Sequence, residues 1–132
     1  MKRRNKKRII FHILTILPHI FDSYLAESLF LRASQEKIVN FFIYNLRDFT
    51  HDSHRTVDDR PFGGGPGMVL KVPPIYQALL HIKKKIAKQK GKRSRIILFS
   101  TRGKVFNKKI AKRLSRYDHI VFICGRYEGV DE

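Results

Sequence analysis

Apolar and polar positions alternate in blocks along the chain, and each block has its own period. Residues 9–17, IIFHILTIL, are nearly continuous in apolar side chains, the pattern of a strand covered on both faces of a parallel sheet. Pro18 ends it. From Ile20 to Ala33 the apolar positions Phe21, Leu25 and Leu29 recur every fourth residue, which predicts one helix. IVNFFIY (38–44) reads as a second strand. Pro73-Pro74 suits a first helical turn and opens a helix with the stripe Ile75, Leu79, Ile82, Ile86. RIILFS (95–100) is a third strand, and HIVFICG (119–125) a fourth. Between them Asn107 is placed to cap a helix carrying Ile110, Leu114 and Tyr117. Strands alternating with helices predict an α/β domain with a largely parallel sheet and flanking helices.

One long segment follows neither period. Residues 45–71, NLRDFTHDSHRTVDDRPFGGGPGMVLK, hold four of the chain's eight glycines between Gly63 and Gly67. An irregular stretch of this length inside a compact domain is functional or disordered. Phe49, Val57, Phe62, Met68, Val69 and Leu70 give it apolar anchors, so an ordered functional loop is expected. Glycine permits unusual backbone conformations and close approach to a ligand or to the chain itself. The cluster is not a phosphate loop, because no Gly-Lys-Ser/Thr follows, and Met68 stands where G-x-G-x-x-G requires its last glycine.

Composition adds a partner. The 132 residues suit one domain, expected over residues 9–132 behind a flexible arm, MKRRNKKR (1–8), with six basic residues in eight. Lys and Arg number 28 against 11 acids, a net charge of +17, which attracts polyanions and above all nucleic acid. No apolar run reaches the ~18 residues of a membrane span. The basic start faintly resembles a signal peptide, but no small-residue cleavage site follows. The one cysteine, Cys124, ends an apolar run and is expected as a buried thiol in a reducing compartment, the cytoplasm.

Other chemistries are weaker. His51, Asp52, His54, Asp58 and Asp59 match no standard zinc spacing and have no cysteine partner, so no metal is expected. A Ser–His–Asp hydrolase has candidates by count alone and no nucleophile elbow. In doubly wound sheets ligands sit beyond the carboxyl ends of strands. Ser100-Thr101-Arg102-Gly103 and Gly125-Arg126-Tyr127-Glu128-Gly129 fall there, and position alone leaves them equally readable as ordinary turns.

Four segments taken together are distinctive: ILTILPHIF, NLRDFTHDSHRTVDDRPFGGGPGMV, a strand ending LFSTRG, and ICGRYEGVDE. In this order and spacing the chain resembles the bacterial tRNA (guanine-N1)-methyltransferase family of trefoil-knotted methyltransferases, over nearly everything after the basic arm. The resemblance implies methyl transfer from S-adenosyl-L-methionine to N1 of the guanosine just 3′ of the tRNA anticodon, by a homodimer whose active site combines both subunits. It implies that Leu98, Phe99, Ser100 and Thr101 line the adenosyl pocket, completed by Gly125, Tyr127 and Glu128. It implies further that Asp58 and Gly67 read the guanine preceding the target, which suits unstacked RNA bases recognised on their Watson–Crick edges.

Three departures from the family pattern are mild: Thr101 where proline is common after the serine, Pro18-His19-Ile20-Phe21 for Pro-Glu-Met-Phe, and the basic arm. Length is the larger one. The resemblance places the general base and its assisting arginine beyond Glu132, so no catalytic residue is assigned within this sequence, and the knot is expected to be incomplete. An RNA-binding portion without catalysis is the alternative expectation, and a chain too incomplete to fold stably is a third.

Overall fold

The computed structural model describes residues 7–50, 57–59, 69–89, 93–100 and 102–125, with backbone alone at 58–59 and 69–70. Six strands and four α-helices appear among them: β1 (Ile9–Thr15), α1 (Asp22–Leu25), α2 (Ser28–Gln35), β2 (Val39–Asn45), β3 (Asp58–Asp59), β4 (Val69–Leu70), α3 (Val72–Ala87), β5 (Ser94–Leu98), α4 (Lys108–Leu114) and β6 (His119–Ile123). The four longer strands form one sheet in the order β2-β1-β6-β5, and every neighbouring pair is parallel. The expected parallel α/β sheet is therefore present.

The apolar strand β1 lies inside the sheet between β2 and β6, and His12, Ile13, Leu14 and Thr15 are buried. This is why its sequence shows no alternation. The core lies between the sheet and α3, where Leu14, Tyr44, Val121 and Ile123 join Ile75, Ala78, Ile82 and Ile86 in one cluster. The predicted stripe of α3 is observed with one adjustment. Ala78 is fully buried, while Leu79 is partly buried against the cluster. Full burial of a side chain the size of Ile82 contributes about 1.5–3 kcal/mol.

Alternate residues of the same strands form an aromatic row. Phe11 stacks on Phe41 and on Phe122, with centroids 5.3 and 5.7 Å apart, and Phe99 meets Phe122 at 5.2 Å. Phe30 of α2 sets its edge against Phe41 at 6.1 Å.

The single helix expected over residues 20–33 is three pieces. A 3-10 turn (Pro18–Phe21) leads into α1, and α2 begins anew at Ser28. Glu27 is extended (φ −113°, ψ 148°) and Ser28 has φ 45°, so the helical register does not carry across them. Leu29 consequently points to solvent while Phe21 and Leu25 stay half-buried. The irregular segment after β2 also contains structure. A 3-10 turn (Leu46–Phe49) starts with the Asn45 side chain accepting from the Arg47 amide, and β3 and β4 pair antiparallel through Asp58–Leu70 and Asp59–Val69.

Candidate functional site

The carboxyl ends of β5 and β6 lie side by side, with Leu98 in register with Ile123. The Phe99 amide donates to the Ile123 carbonyl at 3.3 Å, and the Cys124 amide to the Leu14 carbonyl at 2.9 Å, so the chain leaves both strands at one edge. Leu98, Phe99, Ser100 and Gly125 are thereby brought together at this edge. Both expected strands stop two residues early, which releases these residues from the ladder. Leu98 and Phe99 are 48% and 54% exposed, a large apolar surface for strand-end residues. Ser100 organises the turn that follows: its Oγ accepts from the Arg102 amide at 3.1 Å and its carbonyl from the Gly103 amide at 3.4 Å. Cys124, expected as buried, is half-buried, and burial pushes its thiol pKa up. Thr101, Tyr127, Glu128 and Gly67 lie outside the described residues.

Asp58 is in β3, and the ribbon it forms with β4 is rooted in the core. Val57, just before it, is almost wholly buried in the cluster that holds Leu14, Ile16, Leu46 and Ile123, all from the carboxyl ends of strands. The Lys71 amide donates to the Val57 carbonyl at 2.6 Å, closing the base of the ribbon. The ribbon therefore starts on the same edge of the sheet as the loops after β5 and β6. Residues 60–68, which connect β3 to β4, lie outside the described residues, as do His51, Asp52 and His54.

A buried polar chain that runs obliquely across the sheet, from the amino end of β6 to Tyr44 near the carboxyl end of β2, was not legible as a site. Tyr44, His12 and His119 come from three adjacent strands, and Gln89 follows α3. His12 Nδ1 is 3.1 Å from the Tyr44 hydroxyl, His12 Nε2 is 3.0 Å from His119 Nδ1, and His119 Nε2 is 3.2 Å from Gln89 Oε1. The acceptor at Gln89 fixes the proton order when both rings are neutral. His119 Nε2–H donates to Gln89, His12 Nε2–H donates to His119 Nδ1, and the Tyr44 hydroxyl donates to His12 Nδ1. Both histidines are almost completely buried. Burial first, then the facing His119 and Lys85, lower the His12 pKa from 6.5 to about 4. The only signal in the sequence was a histidine in each of two otherwise apolar strands.

Two cavities flank these elements. One of about 410 Å³ sits at the α1–α2 elbow, lined by Ser23, Tyr24, Glu27, Ser28, Leu29 and Phe30. The other, about 110 Å³, adjoins His12, Tyr44, Lys85 and His119. Neither is lined by the strand-end residues Leu98, Phe99, Ser100 or Gly125. Leu98 and Phe99 stand exposed on the candidate edge. No helix among them is long and apolar enough to cross a membrane.

Comparison with known proteins converges on one family. The family described as tRNA (Guanine-1)-methyltransferase TrmD matches residues 9–132. The tRNA (guanine-N(1)-)-methyltransferase of Dictyoglomus turgidum is 48% identical over 120 residues, covering 91% of this chain and 46% of the relative. That of Clostridioides difficile is 44% identical over 122 residues, covering 92% and 52%. The crystal structure of a tRNA methyltransferase from Aquifex aeolicus superposes with a TM-score of 0.79 at 37% identity, covering 95% of this chain and 54% of that one. The chain thus spans about half the length of the relatives it matches. On the match from residue 9 to residue 132, the chain belongs to the tRNA (guanine-N1)-methyltransferase family.

Proposed function

We propose that this chain supplies the cofactor edge and the first tRNA contacts of an enzyme that methylates N1 of the guanosine just 3′ of the anticodon, with S-adenosyl-L-methionine as donor. The observation that carries the reading is the convergence of Leu98, Phe99, Ser100 and Gly125 on one edge of a parallel sheet, with the core-rooted ribbon of Asp58 starting on that same edge. Beyond carboxyl ends is where such sheets bind ligands.

The residues present fit an adenosyl group. The exposed side chains of Leu98 and Phe99 offer apolar faces for a flat base, and Gly125 presents no side chain against close approach. Leu98, Phe99, Ser100 and Thr101 would hold the adenosyl portion, with Gly125, Tyr127 and Glu128 completing the same side. When bound, the cofactor supplies a methyl group activated on a sulfonium. A carboxylate at Glu128 favours the cationic end of that molecule. The Asp58 carboxylate accepts from guanine N1–H and N2–H, and Gly67 lets backbone lie against a base, so the two read the nucleotide before the target. The target base itself must leave its stack to be reached. Guanine N1 is a weak acid near neutral pH, so transfer requires a general base within hydrogen-bond reach. That role is assigned to none of the 132 residues. We further propose residues 1–8 as a phosphate-contacting arm on a domain running from 9 to 132, cytoplasmic placement, assembly as a homodimer, and a sheet belonging to a trefoil knot.

The test is transfer of labelled methyl from S-adenosyl-L-methionine to an unmodified tRNA transcript with guanosine 3′ of its anticodon. A transcript with adenosine there is the control. Transfer to the guanosine transcript alone is the expected result for a chain that carries the whole reaction. Absence of transfer from folded protein that still binds the transcript would reduce the chain to an RNA-binding portion. Equal transfer to both transcripts would overturn the assignment of the target base.

A further inference from the structure

The net charge of the chain is confined to one part of it. Between Asp59 and Asp118 there are seventeen lysines and arginines and no acidic residue, while the rest of the sequence carries eleven of each sign. The whole excess of +17 therefore belongs to residues 60–117. Nine of its fourteen described cations stand on or just after two helices that differ in where they lead.

On α4 and the turn after it, Lys108, Lys109, Lys112, Arg113 and Arg116 follow the spacing i, i+1, i+4, i+5, i+8, which is one face of a helix. All five are exposed, and Ile110, Ala111, Leu114 and Tyr117 on the opposite side are half-buried. The apolar face fixes the helix, and the basic face is turned wholly outward. Among the described residues, the ion pairs Lys7–Asp118 and Arg32–Glu36 and the His19–Asp22 hydrogen bond include none of the five side chains. At ~1.5 Å per residue the row rises about 12 Å from Lys108 to Arg116. It begins just after Val105 and Phe106, which are 84% and 69% exposed, in the connection that leaves β5 at Leu98 and Phe99. Along the chain, the basic row thus follows the proposed cofactor edge. The exposed lysines of α3 and its cap, Lys83, Lys84, Lys85 and Lys88, stand at the end of that helix, which leads back to the amino end of β5.

Resting on the RNA reading above, we propose that the outer face of α4 is a docking surface for the phosphodiester backbone of the tRNA, entered from the loop where Phe106 is exposed. A row of point charges with no acceptor among its side chains grips phosphates and carries no base sequence. It would align the RNA along the sheet so that the anticodon loop meets the strand-end loops. Exposed Phe106 supplies an aromatic face at the end of the row nearest those loops, where an unstacked base has a surface to rest on.

The experiment compares tRNA binding by the full chain with two charge-matched triple variants. One is K108Q/K112Q/R116Q on α4, and the other is K83Q/K84Q/K88Q on α3. The salt dependence of binding is read for each. The expected result is a loss of at least about ten-fold in affinity for the α4 variant, with the slope of log K against log salt reduced by about 2–3. The α3 variant should lose clearly less. Equal losses in the two variants would show a general effect of net charge and overturn the proposal. An unchanged α4 variant would overturn it while leaving the RNA reading intact. Failure of the unaltered chain to bind tRNA at low salt would overturn both. Circular dichroism of each variant separates lost binding from lost fold.

Discussion

His12 is the residue whose chemistry reaches furthest into stability. It is neutral in the folded chain because its ring is buried and faces His119 and Lys85, and no carboxylate lines the small cavity beside it. One extra proton has a place to go, since the Tyr44 hydroxyl rotates from donor to acceptor. Two extra protons would set N–H against N–H across the 3.0 Å gap to His119. In the unfolded chain the same ring titrates near 6.5, against about 4 when folded. The unfolded state therefore binds more protons between those values, and stability falls as pH drops from 6.5 towards 4. At 1.36 kcal/mol per unit the loss is about 3 kcal/mol, complete near pH 4. Urea unfolding at a series of pH values should show this loss. In a His12→Gln variant, which retains polar contacts but cannot titrate, that part of the slope should disappear. An equal slope in both proteins would remove His12 as its source.

Elements show where reading a sequence succeeds and where it stops. β1, β2, β5 and β6 were legible because each is a short apolar run bounded by a breaker, and α3 because its stripe holds over four turns. Leu98, Phe99, Ser100 and Gly125 were legible as neighbours once the strands were known to be parallel. The break between α1 and α2 was not, because Phe21, Leu25 and Leu29 keep a helical spacing even though Glu27 and Ser28 leave the helix. The His12–His119 contact was not either, because it joins residues 107 apart in sequence through strand order alone. A local feature equally hidden is the end of α2. The Ile38 amide donates to the Ala33 carbonyl and the Lys37 amide to the Ser34 carbonyl, both at 3.0 Å, and Lys37 sits at φ 58°. This is the hydrogen-bond pattern of a Schellman motif, whose left-handed position glycine fills without strain. A Lys37→Gly variant should be more stable by about 0.5–1 kcal/mol, the relief of the side-chain clash outweighing the added freedom of the unfolded chain. An increased urea midpoint with an unchanged denaturant slope is the expected reading. A decreased midpoint would mean that the lysine side chain contributes more than its backbone strain costs.

At the scale of the whole molecule the distribution of charge governs behaviour more than any single pair. Seventeen cations without one acid between residues 60 and 117 repel one another across α3, α4 and the strands they join. The described ion pairs Lys7–Asp118, at 3.2 Å, and Arg32–Glu36, at 4.0 Å, include none of these cations and are exposed or partly so, and surface pairs of this kind contribute at most about 1 kcal/mol each. Repulsion between like charges destabilises the compact state, and salt screens it over a Debye length of ~10 Å at 0.1 M. Raising sodium chloride from about 10 mM to 300 mM should therefore raise the thermal midpoint of the chain, even as it weakens the proposed binding to tRNA. The two responses have opposite signs because one relieves repulsion within the protein and the other screens attraction to phosphate. The K108Q/K112Q/R116Q variant sharpens the test. With three fewer charges on one face, its midpoint should begin higher at low salt and rise less. A midpoint that falls with added salt would mean that attractive pairs outweigh the repulsion, and the basic face of α4 would then have no electrostatic cost for a bound phosphate backbone to relieve.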